Sequence, residues 1–172
     1  MELFRTPWPR PTPPAVADER EALSAWLDHH RATLLWKLDG LDDEQLRRSV
    51  VPSGTTLLGL VKHLTETEHG WFVNEYARLG EPPLFETDDD PEAGFRIEPA
   101  ESTEQIVQDY IAMCDRCRKI VAAAPSLDDT VPNARRGRID LRRIMIHMIE
   151  ETARHNGHAD IIRELIDGEV GD

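Results

Sequence analysis

The chain has 172 residues, 40% hydrophobic and 31% charged, with a formal net charge of −13. That balance suits one soluble, globular domain with a real core, excludes a disordered chain, and repels phosphate backbones, so nucleic acid is not expected as a partner. Nor does any apolar run approach the roughly 20 residues that span a bilayer, and two cysteines make no disulfide framework.

Residues 1–15 read as a proline-rich arm. Thr6 to Pro14 holds five prolines, which lack the amide proton and restrict the residue before them, so this stretch is extended, with Trp8 as its anchor. It also lacks the basic-then-apolar layout of a signal peptide, and a cytoplasmic protein is expected. The body, residues 16–172, begins with a helix from about Asp18 to about Asp39, with Glu21 completing a capping box. Its apolar face is Leu23, Trp26, Leu27, Leu34 and Leu38. Asp42 then caps a short helical turn through Leu46.

A second long helix is predicted from Thr55 to Gly80, burying Leu57, Leu60, Val61, Leu64, Trp71 and Phe72, with His63 at the edge of that face. Residues 81–101 hold Pro82, Pro83, Pro91 and Pro99 and form a loop long enough to cross from one end of a bundle to the other. Ser102 and Gln105 open a third helix whose seam is Val107, Tyr110, Cys114, Cys117 and Val121. Asp140 caps a fourth, running to about Asp167 before Gly168. No strand pattern stands out. The fold class is all-α, a four-helix bundle with a long crossover between helices two and three, those two running parallel.

The fourth helix carries the most informative pattern. Steps of three and four give Leu141, Ile144, Met148, Glu151, His155, His158, Ile162 and Leu165. Three polar residues thus interrupt an apolar seam, where an unpaired carboxylate or imidazole costs several kcal/mol (about 2–7 for a neutral polar group). A divalent cation between Glu151 and His155, one helical turn apart, offsets that cost, and His63 is the best third ligand from another helix. Two imidazoles and one carboxylate leave a tetrahedral zinc with an open position, the arrangement of catalytic sites; nickel and iron are further candidates. His158 is left as a supporting group, an alternative ligand or a rim residue. His147 falls at the boundary, and at most one of His29 and His30 points inward.

His147-Met-Ile-Glu-Glu-Thr-Ala-Arg-His-Asn-Gly-His-Ala-Asp-Ile-Ile-Arg-Glu164, together with Gly59-Leu-Val-Lys-His-Leu64, resembles the DinB-like superfamily, in its branch of mycothiol-dependent transferases and maleylpyruvate isomerase. The resemblance implies a four-helix bundle with a long crossover and a divalent metal held by His63, Glu151 and His155. Many relatives carry His where Glu151 stands and Gln near His158, whereas the isomerase-type members share the Glu. The extra C-terminal domain of maleylpyruvate isomerases has no counterpart in this sequence, so that reaction is not implied. The implied chemistry is transfer of a low-molecular-weight thiol, such as mycothiol, to a small electrophile in detoxification or stress response. A free thiol has a pKa of about 8.5 and is mostly protonated at neutral pH, and a metal ion supplies its activation.

Other features have plainer readings. Cys114-Asp-Arg-Cys117 has redox spacing but lies mid-helix on a regular seam, which fits core packing. Glu66-Thr-Glu-His69 matches one half of a di-iron carboxylate motif, but no second copy accompanies it, so a ferritin-like protein is the lesser rival and the two residues are expected in solvent or near the site mouth. Arg135, Arg136 and Arg138, with Arg142 and Arg143, form a basic cluster that either is solvated or docks carboxylates of an anionic cosubstrate. Gly157 inside a helix hints at close approach by a neighbouring backbone or ligand. A homodimer is allowed, and a non-enzymatic metal-binding stress protein is the remaining alternative.

Overall fold

The computed structural model describes residues 3–171; Met1, Glu2 and Asp172, the ends of the expected arm and body, lie outside the described residues. Each long helix starts on a side chain that accepts an otherwise unpaired amide of the first turn. Asp18 accepts the Glu21 amide at the head of α1 (Glu19–Trp36), and Thr56 accepts that of Gly59 at the head of α3 (Leu57–Glu68). Ser102 does the same for α4 (Thr103–Ala123), and Asp140 for α5 (Leu141–Asp167), which ends on Gly168 at φ +82°. The short α2 (Asp43–Arg47) carries a full reciprocal box between Asp42 and Gln45.

The described residues are mostly helical. α1 packs on α5, α3 on α4, and α3 on α5. Contacts advance together along the first two pairs: Arg142 meets Glu19, Asn156 meets His30, and Arg163 meets the Lys37 carbonyl. Likewise Lys62 meets Glu101 at the head of α4, and Cys117 meets the Glu68 carbonyl farther along. The helices of each pair therefore run in the same direction. One core cluster gathers Leu34, Leu35, Leu38, Leu57, Leu60, Val61, Leu64 and Tyr110; the other gathers Leu27, Phe72, Tyr76, Leu141, Ile144 and Met148.

Four expectations need correcting here. The second helix is not uniform: after Glu68 the chain widens into a π-helical stretch, His69–Tyr76, which buries Phe72, Val73 and Tyr76 and leaves Trp71 half-buried. Such widened turns are frequent at functional sites. Trp26 is 48% exposed rather than buried, lying beside the His29 and His30 rings. A two-stranded hairpin, β1 (Thr130–Asn133) and β2 (Gly137–Asp140), joins α4 to α5 where no strand was expected. Each strand has four residues and buries one side chain, Val131 or Ile139, too little to show an alternating pattern. Finally, α1 ends at Trp36, and residues 37–40 form a turn that closes on Gly40 at φ +81°.

The arm lies on the body. Phe4 exchanges backbone hydrogen bonds with Leu41 and Gly40, Trp8 sits against Tyr110 under the Arg118 guanidinium, and the Pro11 carbonyl is 2.8 Å from His29 Nδ1. Residues 81–101 are ordered by specific contacts. Glu66 accepts the amides of Leu84, Phe85 and Glu86, and a 3-10 turn, Ala93–Phe95, lies across α3. That crossing needs Gly59, because a Cβ there would overlap the Phe95 carbonyl.

Candidate functional site

The buried line of α5 runs Leu141, Ile144, Met148, Thr152, His155, Asn156, Ala159 and Ile162. It drifts from the heptad-like stripe because an α-helix turns every 3.6 residues rather than 3.5. Leu165 is consequently 56% exposed and His158 is exposed at the rim, while Thr152 and Asn156 enter the interior in their stead. Thr152 satisfies its hydroxyl on the Met148 carbonyl, and Asn156 donates to the His30 carbonyl.

His155 is buried, and its Nε2 is 3.1 Å from Glu151 Oε1. His63, from α3, brings its Nε2 to 3.6 Å from the same oxygen, with its ring edge-on to that of His155 at 4.9 Å between centroids. Each of the three offers one ligand atom, and those atoms lie within 4.8 Å of one another. Among the described residues this is the single such group of three. His158 Nδ1 is 3.3 Å from His155 Nδ1, which leaves His155 Nε2 as the nitrogen facing the trio. Arg154 holds the outer oxygen of Glu151 at 3.1 Å.

Burial, and then the neighbouring His155, lower the His63 pKa to about 4 against the pull of Glu151. Burial also lowers that of His155. For Glu151, burial pushes upward but is outweighed by His155, Arg154 and His63, so its carboxyl stays below the usual range. Two imidazoles with free lone pairs and one carboxylate are thus present at neutral pH, a donor set that fits a borderline divalent cation such as zinc.

A cleft of about 640 Å³ opens beside His63, walled by Thr67, Trp71, Asn74, Glu75, Glu86 and Asp88 among others. The widened turn supplies one wall and the 81–101 segment the other. Phe95 stacks flat on His63, with ring centroids 3.9 Å apart. Glu86 Oε1 is 3.7 Å from His63 Nδ1; burial, then Glu66 and Glu92, raise the Glu86 pKa. Neither Phe95 nor Glu86 carries a sequence signal, because both reach the site from a loop through tertiary contact.

The other flagged residues go elsewhere. Arg135, Arg136 and Arg138 are exposed on the hairpin and none lines the cleft. Arg138 bonds Thr130, while the Arg135 and Arg136 amides donate to Asn133 Oδ1. Asn133 in turn donates from Nδ2 to Glu75 Oε1 at 3.0 Å, tying the hairpin to the cleft wall. Glu66 and His69 are buried rather than solvated: Glu66 is occupied by loop amides, though it also borders the cleft, and His69 faces Glu81 at 3.2 Å. Cys114 and Cys117 are fully buried free thiols whose pKa burial pushes up, which removes the redox reading. Gly157 is exposed with open space around it, so no close approach explains it. His147 is half-buried edge-on to Trp71, and both His29 and His30 are half-buried.

Helices that gather two imidazoles and a carboxylate, one of the imidazoles lining a cleft, define an α-helical protein with a donor set for a cation. The sequence profile of the mycothiol-S-transferase family matches residues 22–168, and the chain belongs to that family. No curated protein matches it. None of the helices among the described residues is long and apolar enough to cross a membrane.

Proposed function

We propose that this protein is a metal-dependent thiol transferase that joins mycothiol, or a similar small thiol, to a small electrophile, in detoxification or stress response. The helices would then form the family's four-helix bundle, with residues 81–101 as its crossover. His63, Glu151 and His155 are the residues that would hold the ion, zinc being the best match to two nitrogens and one oxygen. A cation bound there supplies Lewis acidity, which lowers the pKa of a thiol brought to it.

The chain's own groups do the rest. Glu151 contributes the negative charge that balances the cation, and Arg154 keeps that carboxylate turned inward from its outer oxygen. Burial keeps both imidazoles neutral, so no proton must leave them before they ligate. Trp71 provides an apolar part of the cleft wall, Phe95 covers one face of the His63 ring, and Thr67 Oγ1 stands in the cleft wall as an acceptor for polar groups of the thiol. Arg135, Arg136 and Arg138, on a hairpin tied to that wall through Asn133, would dock carboxylates of an anionic cosubstrate from outside the cleft.

The observation that carries this reading is the convergence of the three ligand atoms beside a cleft in a chain of this family. Protein isolated without added metal is expected to contain about one equivalent of divalent ion and to consume mycothiol with an alkylating electrophile. His155→Ala should lose both. Retention of metal and turnover by that variant overturns the assignment, and bound metal without turnover of any thiol leaves the non-enzymatic reading.

A further inference from the structure

His63 meets Glu151, His155 and Thr67 on its site side, and the 81–101 segment covers one ring face and its far nitrogen. Phe95 stacks on the ring at 3.9 Å with the planes 15° apart, which fixes the ring plane. A flat stack does not distinguish a ring from its flipped form, so something else must choose which nitrogen faces Glu151 and His155. On the site side, His63 Nε2 is 3.6 Å from Glu151 Oε1 and 3.4 Å from Thr67 Oγ1. On the far side, Nδ1 is buried without a hydrogen-bond partner, a state that costs stability if left so. The polar atom facing it is Glu86 Oε1, at 3.7 Å.

We propose that Glu86 is the positioning residue for His63: its carboxylate accepts the Nδ1 proton, fixing the tautomer and flip that present the bare Nε2 to the cation site. This rests on the proposed metal site only in what the presented nitrogen is for. Three features hold Glu86 at that task. Its own amide donates to Glu66, a buried carboxylate on the same helix as His63 that also takes the Leu84 and Phe85 amides. Gly94 leaves the gap through which Glu86 reaches the ring, since a Cβ there would stand 3.1 Å from Glu86 Oε1 and 3.7 Å from His63 Cα. Gly59 lets the segment that carries Phe95 lie on α3 at all. A histidine ligand whose other nitrogen is bonded to a carboxylate is both oriented and made more basic, and loss of such a partner typically weakens metal binding about 10–100-fold.

The test uses the full chain, labelled with ¹⁵N in its histidines, with and without zinc. In the metal-free protein a long-range ¹H–¹⁵N spectrum should show His63 protonated on Nδ1. Glu86→Ala should shift the ring toward the Nε2-protonated form and weaken zinc binding about 10–100-fold in competition with a chromophoric chelator. Glu86→Gln, which still offers an acceptor oxygen, should keep the tautomer and bind zinc within a few-fold of the parent. If Glu86→Ala fails to fold, Glu86→Met, similar in length and without an acceptor, decides by the same two readouts. An unaltered tautomer and unaltered zinc affinity in the acceptor-free variant overturn the inference, as does an Nε2-protonated His63 in the parent. A parent that binds no zinc but shows the tautomer change defeats the metal reading and leaves Glu86 as the group that orients the ring.

Discussion

Arg31 and Glu68 bring opposite charges into the interior, at 2% and 1% exposure, and meet through two parallel hydrogen bonds of 2.7 and 2.5 Å. Asp28 takes a third guanidinium proton, and Cys117 donates its thiol to the Glu68 carbonyl. Desolvating either charge alone is far more costly than desolvating the pair, so loss of one partner leaves the other uncompensated. Glu68→Gln is therefore expected to destabilise the fold by about 3–5 kcal/mol in urea melts, with the denaturant slope unchanged. A loss under about 1 kcal/mol, the range of surface pairs, would show that water reaches the guanidinium. Nothing in the one-dimensional pattern marked this pair, because a charged residue next to an apolar stripe reads the same whether it meets solvent or its partner 37 positions away. The polar interruption at Glu151 and His155 was legible for the opposite reason: both residues lie on one helix, and local geometry alone puts them together.

At the level of elements, capping side chains mark four helix starts in the sequence, Asp18, Asp42, Ser102 and Asp140, whereas the cap of α3 is Thr56, one residue past the expected start. The widened turn, the hairpin and the ordered course of residues 81–101 leave no comparable local mark in the sequence. Their stability lies in contacts with other elements: Asn133 with Glu75, Glu66 with the loop amides, and the 3-10 turn with α3. Gly59 is the point where α3 and that segment depend on each other. Gly59→Ala should cost about 1–3 kcal/mol in thermal melts, since a methyl group and the Phe95 carbonyl cannot share the space. It should also move the His63 ring protons downfield as Phe95 lifts from the ring. A variant as stable as the parent, with its ring shifts in place, would mean that the crossing tolerates a methyl group.

For the whole molecule, the two tyrosines report on the two halves of the core, Tyr110 in one cluster and Tyr76 in the other. Burial, with Asp129 accepting the Tyr76 phenol proton at 2.8 Å, pushes the Tyr76 pKa up to about 12, and burial drives that of Tyr110 well above 10. A raised phenol pKa contributes stability that is complete below the ordinary value of 10 and is lost as pH rises through the folded value. The native protein should accordingly show no phenolate absorbance step at 295 nm near pH 10. Absorbance should rise from about pH 12, or earlier only together with loss of helical circular dichroism. A phenolate step near pH 10 with the helices intact would contradict the burial of one core half.

The amino-acid sequence by itself determined the helical segments and their heads, the Cys114–Cys117 core seam, the family resemblance, and Glu151 with His155 as one-turn neighbours. Each of these is a relation between residues close along the chain, where the 3.6-residue period and first-turn hydrogen bonding act without help. Only the tertiary structure decided which way His63 faces, that Phe95 and Glu86 surround it, that His158 and Leu165 turn outward, and that Arg31 is buried against Glu68. Those outcomes depend on packing between segments distant in sequence, and small drifts in helical phase or the absence of one Cβ decide them without changing the composition that a linear reading sees.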